Sequence, residues 1–133
     1  PSQEPQKATG TETVISLGGL WAYTDGVSEF ADGSSMIYKS GLGFDVSFKE
    51  YRGFWVASMS SHLWSYVGEL SDDGKVMTLS CVGPDMMSED GGTANYQDVH
   101  EIHSADHRSM TSYGQDKASG EWVKFVRADY YRV

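Results

Sequence analysis

The chain has little of what disulfide-stapled or membrane-anchored folds require. It contains one cysteine, Cys81, among 133 residues, so no disulfide can form within it. Cys81 lies between apolar neighbours, which favours a buried, inert thiol over a nucleophile. The apolar runs are only a few residues long, whereas a membrane-spanning helix needs roughly 20. No segment of useful length has helical periodicity.

Positive charge is also scarce. Ten Lys and Arg residues stand against nineteen Asp and Glu residues, which gives a formal net charge of −9. A chain this acidic is repelled by phosphate backbones and by anionic lipid, so neither nucleic acid nor a membrane is expected as a partner. No stretch resembles a signal peptide, and the sequence favours a cytoplasmic protein.

Glycine and aromatic residues, in contrast, are plentiful: 15 Gly, 8 Tyr, 5 Phe and 4 Trp. The length is that of a single domain. Eight or nine short strands joined by tight turns predict an all-β, antiparallel, up-and-down barrel, either closed or open at one edge. Residues 1–12 are polar and are expected to form a flexible N-terminal arm, with the barrel occupying residues 13–133.

Local patterns give more detailed predictions. Phe44, Val46 and Phe48 alternate with polar residues, which is typical of a half-buried strand. Asp25-Gly26, Arg52-Gly53 and the segment Ser71–Gly74 carry turn residues. Gly18-Gly19 interrupts an apolar segment and predicts a bulge or a sharp bend within one strand.

Several motifs, in this order, resemble those of a bacterial family known only as a domain of unknown function. They are Leu-Gly-Gly-Leu-Trp at 17–21, Gly-Leu-Gly-Phe-Asp at 41–45, Ser-Met-Ser-Ser-His-Leu-Trp at 58–64 and Gly-Pro at 83–84. The resemblance implies a lipocalin-like β-barrel and no established activity. Members usually carry one more strand, with a Gly-x-Trp motif, before the first of these segments. Only the polar arm precedes it here, which would leave two edges open and favours a homodimer.

The best candidate site is an aromatic wall. His62, Trp64 and Tyr66 share one face of a predicted strand and offer stacking surface with polar tips. We expect a small hydrophobic or planar molecule in the barrel interior, in contact with these three and with Trp21, Met59 and Tyr96. The alternative is that these side chains simply fill the core.

Two other functions remain open. Asp98 and His100 share a face, and if it points inward they could serve with His62 as the acid and base of a small isomerase or hydrolase. The chain could instead be a homodimeric interaction module without a cavity. We rank binding first, the interaction module second and the enzyme third, because catalysis needs several polar groups to converge and none is seen to do so, whereas a barrel needs aromatic residues to fill space whether or not it binds a ligand.

The sequence predicts no cofactor and no metal site. His100 and His103 flank Glu101-Ile102, but on a strand this spacing places the two imidazoles on opposite faces. A weaker alternative is a loose zinc site, in which His103 and His107 meet across a turn and are joined by Asp106.

Overall fold

The computed structural model describes residues 6–133, and nine antiparallel strands account for most of them. The strands are β1 Ala8–Leu17, β2 Trp21–Phe30, β3 Ser35–Asp45, β4 Glu50–Ala57, β5 Ser60–Leu70, β6 Val76–Pro84, β7 Thr93–Ile102, β8 His107–Gln115 and β9 Trp122–Tyr131. Within residues 6–133 there is no helix long or apolar enough to cross a bilayer.

The nine strands form one sheet in sequence order, each hydrogen-bonded to its neighbours in the chain. The sheet curls into a half-barrel, and β1 and β9 do not pair with each other. This confirms the predicted all-β, antiparallel, up-and-down architecture, and it agrees with a lipocalin-like barrel that is open at one edge. Both edge strands are exposed along nearly their whole length.

The first strand begins earlier than the sequence predicted. Residues 8–12, expected in the flexible arm, form the first half of β1, which pairs with β2 from Ala8 to Leu17. Residues 1–5 of that arm lie outside the described residues. Gly18 and Gly19 do not bulge a single strand: both have positive φ, 61° and 75°, in the turn that joins β1 to β2.

Three local predictions were wrong, and all three concern β2 to β4. Val46 and Phe48 lie in the exposed turn after β3 rather than in a half-buried strand. Gly26 and Gly53 sit within β2 and β4, not in turns. At both glycines another group occupies the space of a Cβ, namely the Tyr38 ring at Gly26 and the Gly41 carbonyl oxygen at Gly53. These glycines permit close packing within the sheet.

The core lies on the concave face of the sheet, over its central strands. Its buried cluster is Tyr66, Leu79, Cys81, Ala94 and Tyr96, with Leu42, Trp55, Trp64 and Met77 packed against it. Cys81 is buried, as the sequence predicted. Burial raises the pKa of its thiol to about 12, and the Asp98 carboxylate adds to the effect, so the group is un-ionised at neutral pH.

Candidate functional site

Strand register assigns each side chain to one of the two faces. Paired residues on neighbouring strands point to the same face of a sheet, and so do alternate residues of one strand. Tyr66 pairs with Gly53, and Leu79 pairs with Asp98, so the side chains of Tyr66, Leu79 and Asp98 share the concave face with Tyr38. Hydrogen bonds between strands that are not neighbours identify this face as the inner one. The Tyr66 hydroxyl on β5, for example, donates to Asp98 on β7.

Aromatic rings cross this inner face from β5 to β9. His62 packs against Trp64 with ring centroids 4.7 Å apart, Trp64 against Tyr96 at 5.2 Å, and Tyr96 against Phe125 at 6.1 Å, each pair edge-on. These four residues are called the aromatic row below. Edge-to-face contacts at such distances are favourable and hold the rings in defined orientations.

Two hydroxyls near the aromatic row are satisfied within the protein. Tyr66 donates to Asp98 Oδ2 at 2.5 Å, and burial together with the Asp98 carboxylate raises the pKa of this phenol. Tyr96 donates to the Pro84 carbonyl at 2.6 Å and accepts from the Met86 amide at 3.0 Å, which holds the loop after β6. Both tyrosines therefore offer a ligand the surface of their rings, and neither has an unsatisfied hydroxyl.

His62 differs from them because its Nε2 is buried without a hydrogen-bond partner among the described residues. An unsatisfied buried nitrogen costs roughly 1–3 kcal/mol, and a protein tolerates that cost where a ligand or an ordered water completes the bond. This atom is a free polar group at one end of the aromatic row.

The sheet is split next to the aromatic row. Pairing between β5 and β6 joins Val67–Leu70 to Met77–Ser80 and goes no further, although both strands continue. Beyond the last pair the Trp64 ring lies over Gly83, where a Cβ would come within 2.2 Å of it. Backbone groups along the split have no partner in the β5–β6 ladder.

An open depression of about 540 Å³ lies at the split. It is lined by Ser65, Val67, Ser80, Cys81, Val82, Asn95, Tyr96, Gln97 and Trp122. Most of these residues belong to the convex face, yet Cys81 and Tyr96 belong to the concave core, so the depression reaches the aromatic row from outside. The lining carries hydroxyl, amide and apolar groups but no formal charge.

The structure brings together only part of the predicted ligand-binding set. His62, Trp64, Tyr66 and Tyr96 lie together on the inner face. Trp21 does not join them, because it pairs with Gly43 on the convex face and is 42% exposed. Met59 lies in the turn between β4 and β5 and is 64% exposed. For these two residues the predicted position inside the barrel was wrong.

The candidate acid and base do share the inner face. Asp98 accepts hydrogen bonds from Tyr66 and, at 2.6 Å, from Ser112, and it makes none to His100. Burial lowers the pKa of His100, and the Arg108 charge lowers it further, against the opposing effect of Asp98. The imidazole is therefore neutral at pH 7, beside a carboxylate that is already engaged.

Sequence reasoning missed a polar bridge that crosses the concave face. Glu12 on β1 accepts from the Tyr38 hydroxyl on β3 at 2.6 Å and from the Arg108 guanidinium on β8. That guanidinium stacks over the Tyr130 ring of β9, 4.1 Å from its centroid. The bonds of Glu12 thus fasten β1 to β3 and β8, two strands with which it does not pair. No local sequence pattern predicts this polar bridge, because the residues that bond to Glu12 are 26 and 96 positions away in the chain.

The predicted His pair on the β7–β8 hairpin also exists. The His103 and His107 rings stack with centroids 4.6 Å apart. The nearby acid is Asp129 on β9, 2.8 Å from His107 Nε2, whereas the predicted Asp106 lies toward Arg132 at 3.8 Å. Bonds from Arg127 and His107 lower the pKa of Asp129 to about 2. His103, His107 and Asp129 are called the rim cluster.

Comparison with known proteins gives one result for nearly the whole chain. A family model described as "Protein of unknown function (DUF1579)" matches residues 1–132. No curated protein and no solved structure matches the chain.

Proposed function

The chain belongs to this DUF1579 family of unknown function, and we propose that it binds a small uncharged molecule, planar or apolar, at the split between β5 and β6. The observation that carries the proposal is the depression of about 540 Å³ that reaches Tyr96 where strand pairing stops. Its volume lies within the range of roughly 300–1,000 Å³ that is usual for small-molecule sites.

The chemistry of the lining sets the ligand class. Tyr96, Trp122 and Val82 provide flat and apolar contact surface, and Asn95 and Gln97 provide neutral donors and acceptors. A charged ligand would find no counter-charge in this lining and would lose its hydration. His62 Nε2, at the inner end of the aromatic row, is the polar atom best placed to gain a partner from a ligand that reaches Trp64.

Val82 offers a direct test, because it lines the depression and its side chain is exposed. We expect Val82→Arg to fill the depression and to weaken binding of Nile red, a neutral planar fluorophore, by tenfold or more. Titrations that follow Nile red emission and tryptophan quenching measure the change. Val27→Arg, on the convex face of β2 and away from the split, is the matched control and should bind as the unchanged chain does. Equal weakening in both variants, or no binding of any neutral planar probe by the unchanged chain, would contradict the proposal.

Assembly as a homodimer is a second candidate function, favoured by the exposed area. The chain exposes 9531 Å², about 2,600 Å² more than a compact monomer of 14.7 kDa. Residues 1–5 account for at most about 800 Å² of the difference, whatever their conformation. The remaining ~1,800 Å² per chain exceeds what a small ligand covers and suits a large interface with a second copy.

The edge strands are where that second copy would pack. β1 exposes Val14, Ile15 and Leu17, and β9 exposes Trp122, Val123, Phe125 and Val126. Each edge strand has a paired neighbour on one side only. Unpaired backbone groups next to exposed apolar side chains favour edge pairing, and two copies related by a two-fold axis can satisfy both edges.

Two isoleucines of equal exposure allow a matched test of the dimer. Ile15 on edge strand β1 is 50% exposed, and Ile37 on internal strand β3 is 52% exposed on the same face. We expect a dimer from light scattering coupled to size exclusion, and we expect Ile15→Lys to convert it to monomer while Ile37→Lys leaves it dimeric. A monomer for the unchanged chain at tens of micromolar would remove the assembly proposal.

A further inference from the structure

The rim cluster plays no part in the proposed ligand site. His103 follows the end of β7, His107 begins β8 and Asp129 lies near the end of β9. The register pairs His107 with Tyr131 and Ser109 with Asp129, which places these residues on the convex face, opposite to Asp98 and His100. One nitrogen of each imidazole and one carboxylate oxygen all lie within 4.8 Å of one another.

Neighbouring side chains hold these three groups in place. His107 is sandwiched between the rings of His103 and Tyr131, with centroids 4.6 Å and 4.5 Å away. His103 Nε2 lies 2.7 Å from the hydroxyl of Ser109, which is almost fully buried. His107 Nε2 lies 2.8 Å from Asp129 Oδ1. The Ser109 contact is of the kind that orients an imidazole ligand, because it engages Nε2 of His103 and leaves Nδ1 for a metal ion.

We propose that His103, His107 and Asp129 bind one divalent transition-metal ion of the zinc class at the rim of the half-barrel. Two imidazoles and one carboxylate favour Zn²⁺, Co²⁺ or Ni²⁺ over Mg²⁺ and Ca²⁺, which prefer oxygen ligands throughout. Three protein ligands leave one tetrahedral position open to water or to an external donor.

The adjustment that the ion requires is small. Zinc lies about 2.0–2.2 Å from nitrogen and oxygen ligands, so tetrahedral donors are about 3.4 Å apart. His107 Nε2 and Asp129 Oδ1, 2.8 Å apart, must separate by about 0.6 Å, and because all the ligand atoms lie within 4.8 Å of one another, no pair must close by more than about 1.4 Å. Rotation of the His103 side chain, which is exposed and lies just beyond β7, provides that movement and changes its contacts with Ser109 and His107.

Arg127 competes with the metal for Asp129. Its Nε and one terminal nitrogen each lie 3.2 Å from a carboxylate oxygen of Asp129. A cation bound at the rim cluster must displace or repel this guanidinium, which is exposed and free to swing into solvent. Removing the Arg127 charge should therefore strengthen metal binding, an effect opposite in sign to that of removing a ligand.

The test is a Co²⁺ titration of the untagged full chain after treatment with a chelator, followed by visible absorption and by competition with Zn²⁺. We expect one Co²⁺ per chain and a d–d spectrum that Zn²⁺ abolishes. His103→Ala, His107→Ala and Asp129→Asn should each weaken binding tenfold or more, and Arg127→Gln should strengthen it severalfold. Asp106→Asn, which changes the acid of the adjoining turn, is the control and should bind Co²⁺ as the unchanged chain does.

The outcomes are decisive in both directions. Loss of Co²⁺ binding in the three ligand variants, with Asp106→Asn unaffected, establishes the site. Equal affinity in all of these variants, or no Co²⁺ spectrum at about 1 mM metal, overturns it. Circular dichroism of each metal-free variant checks folding. His103 lies outside the strands, so His103→Ala is expected to fold. If His107→Ala unfolds, the Co²⁺ affinity of His103→Ala still tests the site.

Discussion

Gly26→Ala is expected to destabilise the protein by about 2–4 kcal/mol, although it adds a single methyl group. The new Cβ would lie 2.0 Å from Cζ of Tyr38 and 2.3 Å from a neighbouring ring carbon. Tyr38 cannot retreat freely, because its hydroxyl donates to Glu12 and its ring stacks on Trp55 at 5.8 Å. Either the ring gives up the Glu12 hydrogen bond or β2 separates from β3. Urea unfolding at a fixed protein concentration measures the loss.

A double-mutant cycle separates this clash from a general effect of alanine in β2. In a Tyr38→Ala background the space above Gly26 is empty, so Gly26→Ala should cost less than about 1 kcal/mol there. The coupling between the two positions should then amount to most of the original effect. If Gly26→Ala is equally costly in both backgrounds, the Tyr38 ring is not the reason for glycine at this position.

Glu12→Ala is expected to cost about 2–3 kcal/mol and to loosen β1. The Glu12 side chain is nearly buried, and its loss leaves the Tyr38 hydroxyl and the Arg108 guanidinium without their acceptor. Arg108 is partly solvated, which keeps the cost below that of a fully buried ion pair. Hydrogen exchange of the β1 amides should accelerate far more than exchange in β5 to β7, since β1 has one paired neighbour and loses its fastening to β8.

Glu29→Ala is the matched control for that experiment. Glu29 is an exposed carboxylate on β2, the strand that pairs with β1. Its removal should change stability by less than about 0.5 kcal/mol and should leave β1 exchange unaltered. A Glu12→Ala variant that behaves like Glu29→Ala would mean that the polar bridge does not hold β1 to the rest of the sheet.

The sequence predicts the strands best where pattern and turn chemistry agree. The Ser71–Gly74 turn is confirmed, with Gly74 at φ 72°, and the predicted strands on either side of it are present as β5 and β6. At Gly26 the same reasoning was wrong. An Asp-Gly pair is a turn signal when only its neighbours are considered, yet this glycine is required by a ring from the next strand. A contact with a residue of another strand cannot be predicted from the residues that flank the glycine.

The residues of the candidate site also separate into those that the sequence predicts and those that it does not. His62, Trp64 and Tyr66 could be predicted to cluster, because alternation places them on one face of a strand. Phe125 could not, because β8 and β9 shift register after the Ser112–Val126 pair, and Phe125 is the extra residue. Glu12 lies in a polar segment whose composition is typical of a free terminus, and its partners become visible only in three dimensions.

The order of the strands bears on how the chain reaches this structure. Every strand pair in the described sheet joins consecutive strands, so each ladder can form as a hairpin with a short loop to close. A closed barrel would also require its first and last strands to meet, and that step carries the largest entropy cost of loop closure. Here the ladders can form from any hairpin without that step, and the contact of Glu12 on β1 with Arg108 on β8 closes the half-barrel once the ladders between them are in place.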